Sequence, residues 1–165
     1  MSDDLLQVAG KVALITGGGA GIGRATAELF AAAGIRLAIA ENNPERVADL
    51  RAKMPDALVV EADVRKREDV ARLVSDVETR YGRLDVLVNN VGDYLRITSY
   101  FADSTEEDWE ALYAVNLLHM FRVTKAALPL LRVSGQGGSI INLSTVEAFR
   151  GIPRAAVYSA FKSAI

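Results

Sequence analysis

A phenol and an ammonium stand four residues apart near the end of this chain, in Tyr158-Ser-Ala-Phe-Lys162. On a helix, positions i and i+4 share a face, so both groups reach one site. A free phenol titrates near ~10 and is a poor base at neutral pH. A nearby ammonium stabilises the phenolate and makes the pair a usable general acid and base. Tyr-x3-Lys alone is a common surface pair, so its surroundings decide. Ser144 ends an apolar run about a dozen residues upstream, Asn89-Asn90-Val91-Gly92 ends an earlier one, and Asn116 lies in a helical pattern between them.

A second constellation opens the chain: Thr16-Gly17-Gly18-Gly19-Ala20-Gly21-Ile22-Gly23, between an apolar run and an Ala-rich helical pattern. Glycines there let the backbone turn tightly and approach a pyrophosphate, and the helix that follows offers free N–H groups and the positive end of its dipole. Glu41 closes the next apolar run. An acidic side chain at that place accepts hydrogen bonds from adenosine ribose hydroxyls and repels a 2′-phosphate, which favours NAD over NADP.

These groups need a scaffold. Short apolar runs at residues 11–16, 35–40, 57–61, 84–89 and 139–143 read as strands. Helical patterns at 21–33, 44–53, 66–81 and 104–131, and one from residue 157 onward, alternate with them. Gly34 stops the first helix, Asn43 with Pro44 starts the second, and Ser104 with Glu107 fits a capping box for the long one. The alternation predicts an α/β fold, a Rossmann-type doubly wound parallel sheet in strand order 3-2-1-4-5, with ligands at the C-terminal strand ends. One domain, residues 1–165, is expected.

Composition narrows the function classes. The 165 residues are 50% hydrophobic and 24% charged, with a formal net charge of -2. That is enough for one core and gives no electrostatic case for nucleic acid or an anionic membrane as partner. With no cysteine there is no disulfide, thiolate metal site or Cys nucleophile, and the single His119 cannot build a multi-histidine metal site. The acidic start Met-Ser-Asp-Asp is unlike a secretory signal, and no apolar run is long enough to cross a bilayer. The expectation is a cytoplasmic protein acting on a small molecule.

The glycine spacing, Gly-x3-Gly-x-Gly after Thr16, together with Asn-Asn-x-Gly, Asn116, Ser144 and Tyr-x3-Lys, resembles the short-chain dehydrogenase/reductase family over residues 11–165. The resemblance implies an NAD(P)-dependent oxidoreductase of a secondary alcohol or ketone. It places Gly17, Gly21, Ile22 and Gly23 against the cofactor, with Glu41, Asp63, Val64, Asn90 and Gly92 lining the rest of the nucleotide site. Tyr158 becomes the general acid/base, and Lys162 lowers its pKa and holds the nicotinamide ribose. Ser144 hydrogen-bonds the substrate oxygen, and Asn116 steadies a water chain to Lys162. Val91 departs from the family's usual Ala.

The resemblance also implies a homo-oligomer through the long helix, whose residues 111–121 are apolar almost all round; His119 reads as an interface or surface residue. Family members continue past the Tyr-x3-Lys helix with two more strands and a substrate loop. Because the chain stops inside a helical pattern, it reads as truncated, with those last strands absent and the substrate unnamed. Segments 93–103 and 145–157 are expected to flank the pocket. The alternative reading is a non-catalytic dinucleotide-binding fragment or module.

Overall fold

A computed structural model describes residues 7–133, 135 and 137–165. Five strands form one parallel sheet: β1 (Val12–Thr16), β2 (Arg36–Glu41), β3 (Leu58–Glu61), β4 (Val86–Asn89) and β5 (Ser139–Asn142). Their order is β3-β2-β1-β4-β5, as the alternation predicts. Helices α1 (Gly21–Ala32), α2 (Pro44–Lys53) and α3 (Arg67–Tyr81) make the first crossovers.

Side chains alternate across a strand, so β1 feeds two cores. Val12 and Leu14 pack with Val70, Leu73 and Val77 of α3 on one face. Ala13 and Ile15 pack with Ala27 of α1 and Val47 and Leu50 of α2 on the other. Burial on both faces is why all five residues of β1 are apolar or small. Register brings the C-terminal ends level: Glu41 pairs with Glu61, and Asn89 with Asn142. Every strand-to-helix loop therefore opens on one edge. β5 is the outermost strand, and Ile140 and Ile141 are 41% and 44% exposed there.

Local signals set most element ends. Gly34, at φ +78°, follows α1. The Asn43 side chain accepts from the Arg46 amide at 3.0 Å, with Pro44 in the first turn. The long helix departs from expectation in two ways. Its cap is Thr105 with Asp108, a reciprocal capping box, one residue beyond Ser104 and Glu107. Ser104 instead accepts from Trp109 Nε1 at 2.8 Å and donates to the Phe101 carbonyl.

The helix is also not continuous. It runs as α4 (Glu106–Tyr113), a π-helical turn (Ala114–Leu118) and α5 (His119–Val133). Asn116 sits in the wide turn and its Nδ2 donates to the Leu112 carbonyl at 3.0 Å. A side chain inserted into the i→i−4 ladder is a recognised source of such a turn. Helix α6 (Ala156–Ser163) ends the described elements.

Residues 111–121 are apolar for a reason internal to the chain. Leu112, Val115, Leu117 and Met120 are buried without any partner subunit. His119 is fully buried too, not at a surface or interface as its sequence context suggested. Phe121, 55% exposed, is the outward-facing apolar residue of this stretch.

Candidate active site

The loops after β1, β2, β3 and β4 enclose a cleft of about 550 Å³. Gly17 and Gly21 turn the first loop at φ +68° and +54°, a region that disfavours side chains. Both line the cleft, as do Ile22 at the start of α1, Glu41 from β2, Asp63 and Val64 after β3, and Asn90 and Gly92 after β4. Gly23 is different. It is buried, and a Cβ there would lie 2.3 Å from the Gly17 carbonyl oxygen. Its job is close packing of α1 on the loop rather than contact with a ligand.

Two polar side chains brace this loop from within. Asn90 Nδ2 donates to the carbonyls of Thr16 and Gly17 at 3.0 and 3.1 Å. Glu41, only 4% exposed, accepts from Gly19 N at 2.9 Å through one oxygen and from Asn42 N and Asn43 N at 3.1 and 3.0 Å through the other. So Glu41 holds the glycine loop to the β2 end as well as facing the cleft. Arg46 lines the same cleft, with Nη1 4.0 Å from Glu41 Oε1. Asp63 is held by Arg65 at 2.7 Å, and that pairing keeps its carboxyl below the ordinary range. The cleft's size, its left-handed glycines and the helix N-terminus beside it fit a dinucleotide.

The expected catalytic residues gather at the Gly92 end. Lys162 is 4% exposed and donates from Nζ to the Leu143 carbonyl at 2.7 Å. A Cβ on Gly92 would lie 3.1 Å from Lys162 Nζ and 3.2 Å from Asn116 Oδ1, so both polar atoms crowd that glycine. Asn116 accepts from Asp93 N at 3.1 Å and donates to Asp93 O at 2.8 Å, which fastens the loop after β4 to the wide helical turn.

The hydroxyl beside Tyr158 is not the one expected. Ser144 Oγ donates to the Lys162 backbone carbonyl at 2.6 Å, so it braces α6. Thr145, the next residue, donates to the Glu147 carboxylate and stands at the Tyr158 phenol. Thr145 is extended, at φ -148° and ψ 165°. Neighbours in extended chain point to opposite sides, so one of the two hydroxyls must face away from the phenol. No feature of the Ser-Thr pair in the sequence says which.

The electrostatics also differ from expectation. Burial raises the Tyr158 pKa, and the carboxylates of Glu147 and Asp93 add to the rise; the Thr145 hydroxyl opposes it. Lys162 was expected to lower it, but the ammonium is directed at Leu143 O, and burial lowers the pKa of Lys162 itself. The two flanking segments meet through Arg154, which donates to the Thr98 carbonyl at 3.1 Å and lies over the Tyr100 ring. Leu95, Arg96 and Arg154 all adopt positive φ, a strained backbone for such side chains.

Comparison with known proteins identifies the family. The family model described as short chain dehydrogenase matches residues 11–165. The chain is 36% identical over 159 residues to an L-fucose dehydrogenase of Bos taurus, covering 96% of this chain and 58% of that protein. It is 35% identical over 165 residues to the 3-oxoacyl-[acyl-carrier-protein] reductase FabG of Thermotoga maritima, covering 97% and 65%. Among solved structures, a 7 alpha-hydroxysteroid dehydrogenase complexed with NADH and 7-oxo glycochenodeoxycholic acid superposes with a TM-score of 0.90 at 26% identity, over 99% of this chain and 64% of that one. A short-chain dehydrogenase from Streptomyces avermitilis gives 0.85 at 36% identity, over 94% and 57%. The chain thus spans 57% to 65% of the length of these proteins.

Proposed function

The chain belongs to the short chain dehydrogenase family, and on that premise we propose that its full-length protein transfers a hydride between NAD(P) and a secondary alcohol or ketone. The observation that carries this reading is the Gly92 end of the cleft. There Lys162 Nζ and Asn116 Oδ1 crowd the floor of a nucleotide-sized groove. Tyr158, four residues from Lys162 on α6, has a hydroxyl neighbour in Thr145. The bound nicotinamide would supply the hydride chemistry, and the protein would position and polarise.

Within that reading each residue has a distinct task. Tyr158 exchanges a proton with the substrate oxygen. Thr145 hydrogen-bonds the same oxygen, in the place first assigned to Ser144. Ser144 fixes the end of α6 through the Lys162 carbonyl. Lys162 would hold ribose hydroxyls beside Gly92, and Asn116 orders the loop against it. The glycine loop, with Asn90 as its brace, would hold the pyrophosphate, and Asp63 and Val64 would flank the adenosine.

Preference for NAD over NADP rests on the buried Glu41 carboxylate and on Ala20 in the glycine loop. Arg46 beside Glu41 is the residue that would work against it. Association into a homo-oligomer is also proposed, supported by the exposed Phe121 on α5. Among the described residues, no helix is long and apolar enough to cross a membrane.

The test is an assay of the full-length protein with NAD and NADP against a panel of secondary alcohols and ketones, beside calorimetric titration of each nucleotide. NAD-linked turnover of some panel member is the expected result. Nucleotide binding without turnover would favour the non-catalytic module, and no binding of either nucleotide would sink both readings.

A further inference from the structure

A hydroxyl carries one proton, so the hydrogen bonds around Tyr158 can be counted. Thr145 Oγ1 donates its proton to Glu147 Oε2. Glu147 sits in the short turn Val146–Ala148, directly after the extended Thr145. That turn lies against α6, where Ser163 Oγ donates to the Ala148 carbonyl at 2.7 Å. Two more bonds fasten the preceding residues to the same helix: Ser144 Oγ to the Lys162 carbonyl at 2.6 Å and Lys162 Nζ to the Leu143 carbonyl at 2.7 Å. Tyr158 stands one turn before Lys162 on α6. Fixed backbone therefore carries the Thr145 hydroxyl and the Glu147 carboxylate along the helix that presents the phenol.

Glu147 is only partly covered, so a ligand can reach it. The Thr145 hydroxyl, and then the backbone amide of Glu147 itself, hold its carboxyl below the usual carboxylate range. It is ionised at neutral pH and only accepts hydrogen bonds. Arg150, whose amide bonds to the Val146 carbonyl at 3.3 Å, is the cation that acts on it. With that cation near, this wall is not a bare negative charge suited to an ammonium.

Catalysis needs the Thr145 proton elsewhere. In the oxidative direction the reacting alcohol gives its O–H proton to the Tyr158 phenolate. Its oxygen then offers only lone pairs, and Thr145 must donate to it. The charged carboxylate competes for that single proton and is the stronger acceptor. A second donor that satisfied Glu147 would free Thr145. The two oxygens of a vicinal diol stand roughly one hydrogen-bond length apart, as Thr145 Oγ1 and Glu147 Oε2 do.

We propose that Glu147 is a specificity-determining residue that selects vicinal diols: its carboxylate holds the Thr145 proton until a second substrate hydroxyl, on the carbon next to the reacting one, donates in its place and frees Thr145 to donate to the reacting oxygen. The proposal rests on the dehydrogenase reading above. The overall reaction balances as a two-electron oxidation. The reacting C–H gives a hydride to the oxidised nicotinamide dinucleotide, its O–H proton goes to Tyr158, and the diol becomes a hydroxyketone. The second hydroxyl keeps its proton and only shares it with Glu147.

The test compares a vicinal cyclohexanediol and a vicinal butanediol with the matching mono-alcohols and a vicinal amino alcohol, using the full-length protein and NAD. The kcat/KM of the diols should exceed that of the mono-alcohols by about tenfold, the equivalent of one hydrogen bond, with part of the gain in kcat. In Glu147→Ala and Glu147→Gln the ratio should shrink below about threefold. The mono-alcohol kcat should rise there by about threefold, because no carboxylate competes for the Thr145 proton. Equal turnover of diols and mono-alcohols by the unmodified protein would overturn the proposal. So would a diol preference that survives in Glu147→Ala, or a preference for the amino alcohol over the diols.

A binding measurement separates this from the dehydrogenase reading. Saturation-transfer NMR should show a diol binding to the protein with NADH, about tenfold more weakly in Glu147→Ala. Diol binding indifferent to Glu147 would overturn the proposal even if dehydrogenase activity is present. If nothing in the panel is turned over but diol binding depends on Glu147, the functional reading has failed and the diol site stands.

Discussion

Gly19 and Glu41 fit together with no room to spare: the Gly19 amide donates to Glu41 Oε2 at 2.9 Å, and a Cβ on Gly19 would fall 2.4 Å from that oxygen. Gly19 therefore keeps the loop flat against a carboxylate that also accepts from Asn42 N and Asn43 N. Gly19→Ala should push the carboxylate aside and weaken NAD binding by roughly tenfold, about one hydrogen bond in magnitude, while the sheet stays folded. Glu41→Ala should go further, loosening the loop and narrowing any preference for NAD over NADP. Calorimetric titration of both nucleotides with each variant measures this. Tighter NADP than NAD binding by the unmodified protein would refute the assigned preference and point to Arg46.

Tyr158→Phe removes one hydroxyl and should leave nucleotide affinity intact. General acid/base catalysis contributes about 10²–10⁴-fold, so turnover should drop by at least that order. The pH dependence has a definite sign. Burial and then Glu147 raise the Tyr158 pKa, so oxidation, which needs the phenolate, should accelerate toward alkaline pH. Glu147→Gln removes one of the raising charges and should move that rise to lower pH. A kcat–pH profile unaltered by Glu147→Gln would show that the carboxylate does not act on the phenol.

Thr145 and Ser144 should separate cleanly. Thr145→Val keeps the shape, removes the hydroxyl beside Tyr158, and should cut kcat by about 10²-fold, the low end for a group acting on the proton in flight. Ser144→Ala removes a hydrogen bond to the Lys162 carbonyl. It should cost about 1 kcal/mol of stability or less and leave kcat within a few-fold. Melting temperature and steady-state rates measured together distinguish the two. The reverse pattern would return the substrate hydroxyl to Ser144.

Acid should destabilise this chain earlier than its carboxylates alone would cause. The pKa of His119 is about 4 in the fold, below the ~6.5 of an exposed histidine. Between those values the unfolded chain takes up a proton that the folded chain does not. The contribution of His119 should therefore fall as pH drops from about 6.5 toward about 4, by an amount on the order of a few kcal/mol, and stay constant below that. Denaturant titration across that range should show a steeper slope in the unmodified protein than in His119→Gln. A flat profile in the unmodified protein would mean that the ring is protonated in the fold.

Periodicity and turn chemistry carried most of the scaffold. β1 to β5 and their order follow from apolar runs alternating with helical patterns, and Asn43 and Gly34 sit where caps belong. The glycine loop was legible because its context, strand before and helix after, is as specific as its spacing. What stayed hidden depends on side-chain direction. Ser104 and Thr105 are both good caps, and only the pairing with Asp108 chooses between them. Ser144 and Thr145 are both hydroxyls in extended chain, and only the bond from Ser144 to the Lys162 carbonyl tells them apart. His119 is polar in an apolar stretch, which reads as a surface position until Leu112, Val115 and Met120 are seen to be buried on its own chain.

The wide turn at Ala114–Leu118 has a consequence for anyone redesigning this protein. A π-turn shifts the phase of everything after it, by close to one residue's rotation of about 100°. Leu112 before the turn and Val123, Ala127 and Leu130 after it are all buried with the turn in place. A design that idealised residues 106–133 into one regular helix would have to delete a residue or rotate one half. Either choice could be repacked into a stable core, because aliphatic side chains are exchangeable. Neither would keep Asn116 aimed at Asp93 and Gly92, so the stabilised product would be a well-folded protein whose loop after β4 has lost its fastening.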